Sequence, residues 1–283
     1  MATYTYNKVT PEVLEQIKAA ANGHVLVGDQ INEDFSHDEM RIYGEAMPEV
    51  LVEPTTTEEV AAVMKVCNEN KIAVTPSGAR TALTGGPVAQ YGGVMISTTK
   101  MNKILGYDEE NLVVTIQPGV LLQDLADDAL KRGLMYPPDP GEKLATVGGN
   151  VSTNAGGMRA VKYGTTRDYV RGMTVVLPTG EIVKEGATVS KTSSGYSLLH
   201  LLIGSEGTLG IITEMTLKII VAPKLTMSII VPYETLEGAI ATVPKLFAAN
   251  LDPQALEFME KDVVIDTEQL LSKEVYPKQL NGV

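Results

Sequence analysis

The chain has 283 residues, 44% of them hydrophobic, with a net charge of −12 and one cysteine. That length is enough to bury the core of one large domain or two smaller ones. The acidity argues against a nucleic-acid partner, and the lone Cys67 excludes an intrachain disulfide or a cysteine-ligated iron–sulfur cluster held by this chain alone.

No stretch reaches the roughly 18 consecutive apolar residues of a membrane span, and the N-terminal MATYTYNKVTPEVLEQIK lacks an apolar leader core. A cytoplasmic protein without a membrane span is expected. Thr10-Pro11 predicts a helix start, with Val13, Leu14 and Ile17 on one face and Gly23 as the stop. Thr56 and Glu59 form a capping-box pattern before Val60, Val63, Met64 and Cys67 at i, i+3, i+4, i+7, which puts Cys67 on a buried face as a packed core thiol. Strands are predicted at Ile72–Thr75, Gly93–Ser97 and Leu112–Gln117, and a helix from about Leu121 to Lys131 ends at Gly133. Met173–Val183 reads as a hairpin around a Pro-Thr-Gly turn, Ser197–Ile203 as a short helix and Ile211–Ile220 as a strand. From Lys224 the pattern is strand (Leu225–Val231), helix (about Glu234–Ala249), strand (Ala255–Met259) and a helix start near Asp262. The pattern then stops at QLNGV, so the chain is expected to lack its natural C-terminal part or to borrow it from elsewhere.

Three segments are rich in glycine: PSGARTALTGG (Pro76–Gly86), PPDPGEKLATVGGNVSTNAGG (Pro137–Gly157) and GSEGTLG (Gly204–Gly210). Glycines at turns are one reading. The other is a backbone kept bare so that a nucleotide can approach its N–H groups, with the interleaved Ser, Thr and Asn as further donors. Neither GxxxxGK[ST] nor GxGxxG is present, which disfavours a P-loop or a Rossmann site.

Together with EPTTTEEV (Glu53–Val60), TIQPGV (Thr115–Val120), the run from Tyr136 to Gly172 and GSEGTLGIITEMTLK (Gly204–Lys218), these segments carry a resemblance. The sequence resembles the FAD-linked oxidases of the vanillyl-alcohol oxidase / p-cresol methylhydroxylase fold, and within them the D-lactate and glycolate dehydrogenase flavoproteins. The resemblance is dense over about residues 50 to 220. It implies an α+β fold: a p-cresol methylhydroxylase (PCMH)-type FAD-binding domain of two α+β subdomains, with the beginning of an incomplete α+β cap domain. The implied division is an N-terminal helical segment (1–46), the FAD-binding domain (47–222) and a partial cap, or substrate, domain (223–283).

The resemblance also implies site roles. Ser77, Gly78, Ala79, Arg80 and Thr81 would line the pyrophosphate of FAD. Pro138, Asp139, Thr146, Gly149, Asn150, Thr153, Gly156 and Gly157 would follow its ribityl chain and ring, with Tyr163 close by. Glu206, Gly207 and Ile212 would close the nucleotide end. Arg80 and Ala82 stand where relatives tend to have glycine, so Arg80 either reaches the pyrophosphate or crowds the loop. No histidine lies in the first loop, so non-covalent FAD is expected.

The implied reaction is oxidation of a small 2-hydroxy acid, D-lactate or glycolate, to the 2-oxo acid by hydride transfer to flavin. Electrons would leave to a partner protein, an electron-transferring flavoprotein or an iron–sulfur subunit. A flavin-binding module without turnover, or a protein binding no flavin, are the rival readings. In the relatives the substrate cation and base lie in a C-terminal HxGDGN segment. That pattern is absent here, so no catalytic residue is named. His200, among leucines, reads as a partly buried structural histidine and His37 as a solvated one; Arg159, Lys162, Arg167 and Arg171 read as ion-pairing residues at the end of the long glycine segment, with contact to an anionic substrate or phosphate as the other reading. The three widely spaced histidines, without HExxH, disfavour a metal site.

Overall fold

The computed structural model describes residues 5–274. Two compact units separate: residues 5–157 with 165–222, and residues 158–164 with 223–274. Residues 5–46 thus group with the rest of the first unit, while the short helix α5 groups with the second.

The first unit begins with α1 (Pro11–Ala20), β1 (Val25–Val27), β2 (Val50–Val52), α2 (Thr57–Glu69), β3 (Val74–Ser77) and β4 (Val94–Ser97). It continues with β5 (Ile104–Asp108), β6 (Val113–Ile116), α3 (Leu122–Lys131), β7 (Leu134–Met135) and α4 (Val147–Thr153). The chain then leaves for the second unit with α5 (Ala160–Tyr163) and returns with β8 (Val170–Val176), β9 (Ile182–Gly186), α6 (Leu198–Leu202), β10 (Ile211–Lys218) and β11 (Ile220–Val221). α7 (Leu236–Ala248) and α8 (Lys261–Leu271) complete the second unit.

Two sheets organise the first unit. One has the order β1-β2-β4-β3, with β2, β4 and β3 parallel and β1 an antiparallel edge. The other is antiparallel, β5-β6-β10-β8-β9. Its β8–β9 pair is the hairpin expected at the Pro-Thr-Gly turn. Both the helix-capping residues and the apolar face of α2 behave as their spacing predicts. Thr56 accepts from Glu59 N at 3.2 Å while Glu59 accepts from Thr56 N at 3.3 Å. Val60, Val63 and Cys67 are buried in a core that joins α1, α2, β2 and β4 to Val176 and Ile211 of the second sheet. Each fully buried aliphatic side chain there contributes about 1.5–3 kcal/mol. Burial pushes the Cys67 thiol up to about 12, so it packs as an inert core residue.

Glu59 is buried and does more than close the helix. Its carboxylate also accepts from Thr55 N at 2.6 Å and Asn22 Nδ2 at 2.7 Å, with His24 Nδ1 at 3.6 Å. Burial by itself would raise its pKa; the hydrogen bonds from Thr55 and Asn22, with His24, outweigh that and hold it below the ordinary 4.5. A carboxylate depressed in the folded state stabilises fully above its unfolded pKa and loses that contribution as pH falls through the folded value. Glu59→Gln is therefore expected to cost about 1–3 kcal/mol at pH 7 and to flatten the loss of stability below pH 4.5, as urea unfolding of both chains across pH would record.

In the second unit the two expected strands do not form. Residues 225–231 and 251–259 carry no regular structure, although both helices appear where expected. A strand exists only through its ladder, and neither segment has a partner strand among the described residues. No side chain of α7 or α8 is buried, and Leu225, Ile229 and Leu270 are each at least three-quarters exposed. Lys162 pairs with Asp252 at 2.9 Å within this unit. Arg167 and Arg171 instead donate to the Ile203 and Ser190 carbonyls.

Candidate FAD-binding groove

The three glycine-rich segments meet. The first connects parallel strands β3 and β4, leaving the carboxyl end of β3 at Ser77. The second packs against it through Gly78: a Cβ there would overlap the Thr146 hydroxyl. The third docks on the end of α4, where Gly204 N and Glu206 N donate to Val151 O and Ser152 O at 3.1 and 2.8 Å. It also closes on the first, since a Cβ on Gly207 would overlap the Pro76 ring. Only glycine permits these approaches, and Gly207 in addition sits at φ +74°.

Between the segments lies a groove of about 460 Å³. From the first segment Ser77, Gly78, Ala79, Arg80 and Thr81 line it. From the second come Thr146, Gly149, Asn150, Thr153 and Gly156, and from the third Glu206 and Gly207, with Ile212 beyond. Four of the residues expected there lie elsewhere. Pro138 and Asp139 are buried beside the groove, Asp139 bonded to Lys143 and to Gly141 N. Gly157 packs against the Asp139 carbonyl, and Tyr163 belongs to the second unit. Thr98, Pro118 and Ser152 line the groove without having been singled out. Pro118 had a signal, the Pro-Gly turn after β6, but a turn alone does not show which face it presents.

The middle of the second segment is not an extended loop. Val147–Thr153 coils into α4, capped by the Thr146 hydroxyl on Gly149 N at 3.4 Å. Val147 and Val151, i and i+4, are its buried face. The paired glycines hide a helix because glycine disfavours one by about 1 kcal/mol; here Gly148 is needed where the helix lies on Pro118, while Gly149 leaves the groove side open. Thr146 and the Val147/Val151 spacing were the available signal.

The lining suits a nucleotide chemically. Its backbone is bare at Gly78, Gly149 and Gly156, and its buried polar residues Ser77, Thr146 and Asn150 supply hydroxyl and amide groups. The buried Asn150 Nδ2 has no hydrogen-bond partner among the described residues, leaving a donor for a ligand. Arg80 is the one cationic side chain of the described lining. It adopts φ +61°, a glycine-like conformation that explains why a glycine would serve there. Its Nε donates to Asp34 O at 2.9 Å and its guanidinium stacks 3.9 Å above Phe35. Burial lowers its pKa, and Asp34 and Glu53 act in the opposite direction.

Neither remaining histidine belongs to the groove. His37, expected to be solvated, is half-buried with Nδ1 2.8 Å from Asp38 O, because its segment folds back on the protein. His200, expected to be partly buried, is exposed: α6 turns Leu199 and Leu202 inward and leaves His200 outside, 2.5 Å from Ser197 Oγ. Among the described residues no cluster of His, Cys, Asp or Glu could hold a metal, and no helix is long and apolar enough to cross a membrane.

Comparison with known proteins agrees with this geometry. A family described as an FAD binding domain matches residues 48–186. The chain is 75% identical over 282 residues to a D-lactate dehydrogenase of Anaerostipes hadrus, a match that takes in all of this chain and 59% of that protein. It is 40% identical over 232 residues to glycolate oxidase subunit GlcD of Bacillus subtilis, covering 82% of this chain and 49% of that one. The chain thus spans between about half and three-fifths of these relatives. Among solved structures, p-cresol methylhydroxylase with substrate bound shares the fold at a TM-score of 0.71 and 24% identity, over 83% of this chain and 48% of that one. An alkyldihydroxyacetonephosphate synthase does so at 0.75 and 22%, over 89% and 48%. Residues 48–186 thus match an FAD binding domain, and the chain shares the fold of p-cresol methylhydroxylase.

Proposed function

We propose that this chain holds FAD without a covalent bond in the groove between its glycine-rich segments and serves the oxidation of a small 2-hydroxy acid, D-lactate or glycolate, to the 2-oxo acid. The observation that carries the reading is the convergence of three sequence-distant bare segments on one groove. The names of the relatives support the substrate class.

Within this reading, the Ser77–Thr81 loop holds the pyrophosphate through backbone N–H groups, with Arg80 as the nearby positive charge. Thr146, Gly149, Asn150, Thr153 and Gly156 border the remainder of the cofactor, Asn150 donating its spare N–H, and Glu206, Gly207 and Ile212 close the far end. Pro138 and Asp139, with Gly157, support that wall from behind. When bound, FAD supplies a two-electron acceptor for the hydride leaving the substrate α-carbon. The substrate hydroxyl gives up its proton as the carbonyl forms, and no residue of this chain is assigned as the base. The electrons then pass to a partner protein, an electron-transferring flavoprotein or an iron–sulfur subunit.

The test is to load the purified chain with FAD, remove free cofactor, and add D-lactate or glycolate without oxygen. Retained flavin absorbance that bleaches with one of them is the expected result, and acid precipitation should release all of the flavin. A colourless chain would overturn the groove assignment; a yellow chain that no hydroxy acid bleaches would leave only a flavin-binding module.

A further inference from the structure

One wall of the groove rests on residues 33–46, a stretch that places none of its own side chains in the lining. It meets the first glycine loop at five points. Arg80 is held by the Asp34 carbonyl and the Phe35 ring. Glu39 N donates to Ala82 O at 3.2 Å. Tyr43 packs so close to Gly85 that a Cβ there would lie 2.8 Å from the tyrosine Cβ. Asp38 stands at the centre: its Oδ2 accepts from Thr84 N at 3.1 Å and from Gly85 N at 2.7 Å, and its Oδ1 from Met40 N at 2.9 Å.

The Asp38 residue is only 2% exposed. A carboxylate so deeply buried is costly unless its lone pairs are filled, and three backbone N–H groups fill them here. The dependence runs both ways. Residues 78–87 have no sheet or helix ladder of their own, so few interactions other than these fix where their N–H groups point. Resting on the FAD reading above, we propose that Asp38 is a positioning residue for the flavin nucleotide: from outside the groove its carboxylate anchors Thr84 and Gly85 and so shapes the Ser77–Gly86 loop for the cofactor.

A purely structural role is the alternative, and Glu49 provides the matched control. It too anchors backbone, accepting from Val9 N at 3.0 Å and Gly93 N at 3.1 Å, but it lies outside the groove lining. The 283-residue chain, Asp38→Asn and Glu49→Gln are titrated with FAD by quenching of flavin fluorescence, and each cofactor-free chain is melted. Asparagine has one acceptor oxygen where Asp38 uses two, so its NH2 must face either the Met40 N–H or those of Thr84 and Gly85, and Asp38→Asn is expected to raise the FAD dissociation constant about tenfold or more. Glu49→Gln is expected to lower the melting temperature while leaving FAD affinity within about twofold. Equal affinity of Asp38→Asn and the unaltered chain overturns the proposal, and so does equal weakening by Glu49→Gln. An unaltered chain that binds no FAD overturns the groove reading instead. Should Asp38→Asn not fold, amide exchange of the unaltered cofactor-free chain decides. Thr84 and Gly85 exchanging about tenfold or more slowly than free amides is expected; full exchange in a chain that nevertheless binds FAD overturns the role.

Discussion

Gly78→Ala is expected to raise the FAD dissociation constant about a hundredfold and to cost the cofactor-free chain about 1–3 kcal/mol of stability. The added Cβ overlaps the Thr146 hydroxyl and lies 3.5 Å from its Cβ. Thr146 is 2% exposed and cannot swing away. Its hydroxyl is the cap of α4, on Gly149 N, so displacing it both removes a cap worth about 1 kcal/mol and shifts the groove-lining Gly149 and Asn150. One methyl group therefore disturbs two of the three segments at once. Isothermal titration with FAD and urea unfolding of the cofactor-free chain measure the two effects separately. Undiminished FAD affinity would show that the contact between the first two segments does not shape the site.

Neighbouring glycines 156 and 157 are expected to respond in opposite ways. A Cβ on Gly157 falls on the carbonyl of Asp139 and within 2.7 Å of the Pro140 Cα, backbone atoms that cannot rotate aside. Gly157→Ala must move residues 137–141, and about 3 kcal/mol of stability is expected to be lost. By contrast a Cβ on Gly156 meets only the Thr165 Cγ2 at 3.9 Å, and its free side is the groove. Gly156→Ala is expected to leave the unfolding of the cofactor-free chain within about 0.5 kcal/mol while weakening FAD, whose space the methyl enters. If both variants lose stability alike, the separation into packing glycine and cradle glycine fails.

That separation marks how far the residues could be read in advance. Glycines 78, 85, 148, 149, 156, 157 and 207 look alike in a sequence. Gly78, Gly148, Gly149, Gly156 and Gly207 line the groove, Gly148 while also lying on Pro118, whereas Gly157 lies against a carbonyl and Gly85 on Tyr43. Four expected cofactor residues, Pro138, Asp139, Gly157 and Tyr163, lie off the lining for the same reason: adjacency in a motif does not tell which way a backbone faces. The helices of the first unit were legible, since the Thr10 and Thr56 caps and the apolar spacing of α1 and α2 are local properties. The strands of β1 and β2, three residues each, were too short to show any period.

The chain's composition and order of residues alone determined the elements with local causes: capped amphipathic helices, a buried thiol on the inner face of α2, a hairpin at Pro-Thr-Gly, and a family resemblance dense enough to imply FAD. Tertiary structure decided what depends on residues far apart in the chain. It brought three bare segments to one groove, coiled a glycine pair into α4 against Pro118, left residues 225–231 and 251–259 without strand partners among the described residues, and set the carboxylate of Asp38 against the loop around Thr84. The physical reason is range. Caps and turns are settled by neighbours within about four residues, whereas ladders, close backbone approaches and buried charges are settled by partners that only folding supplies.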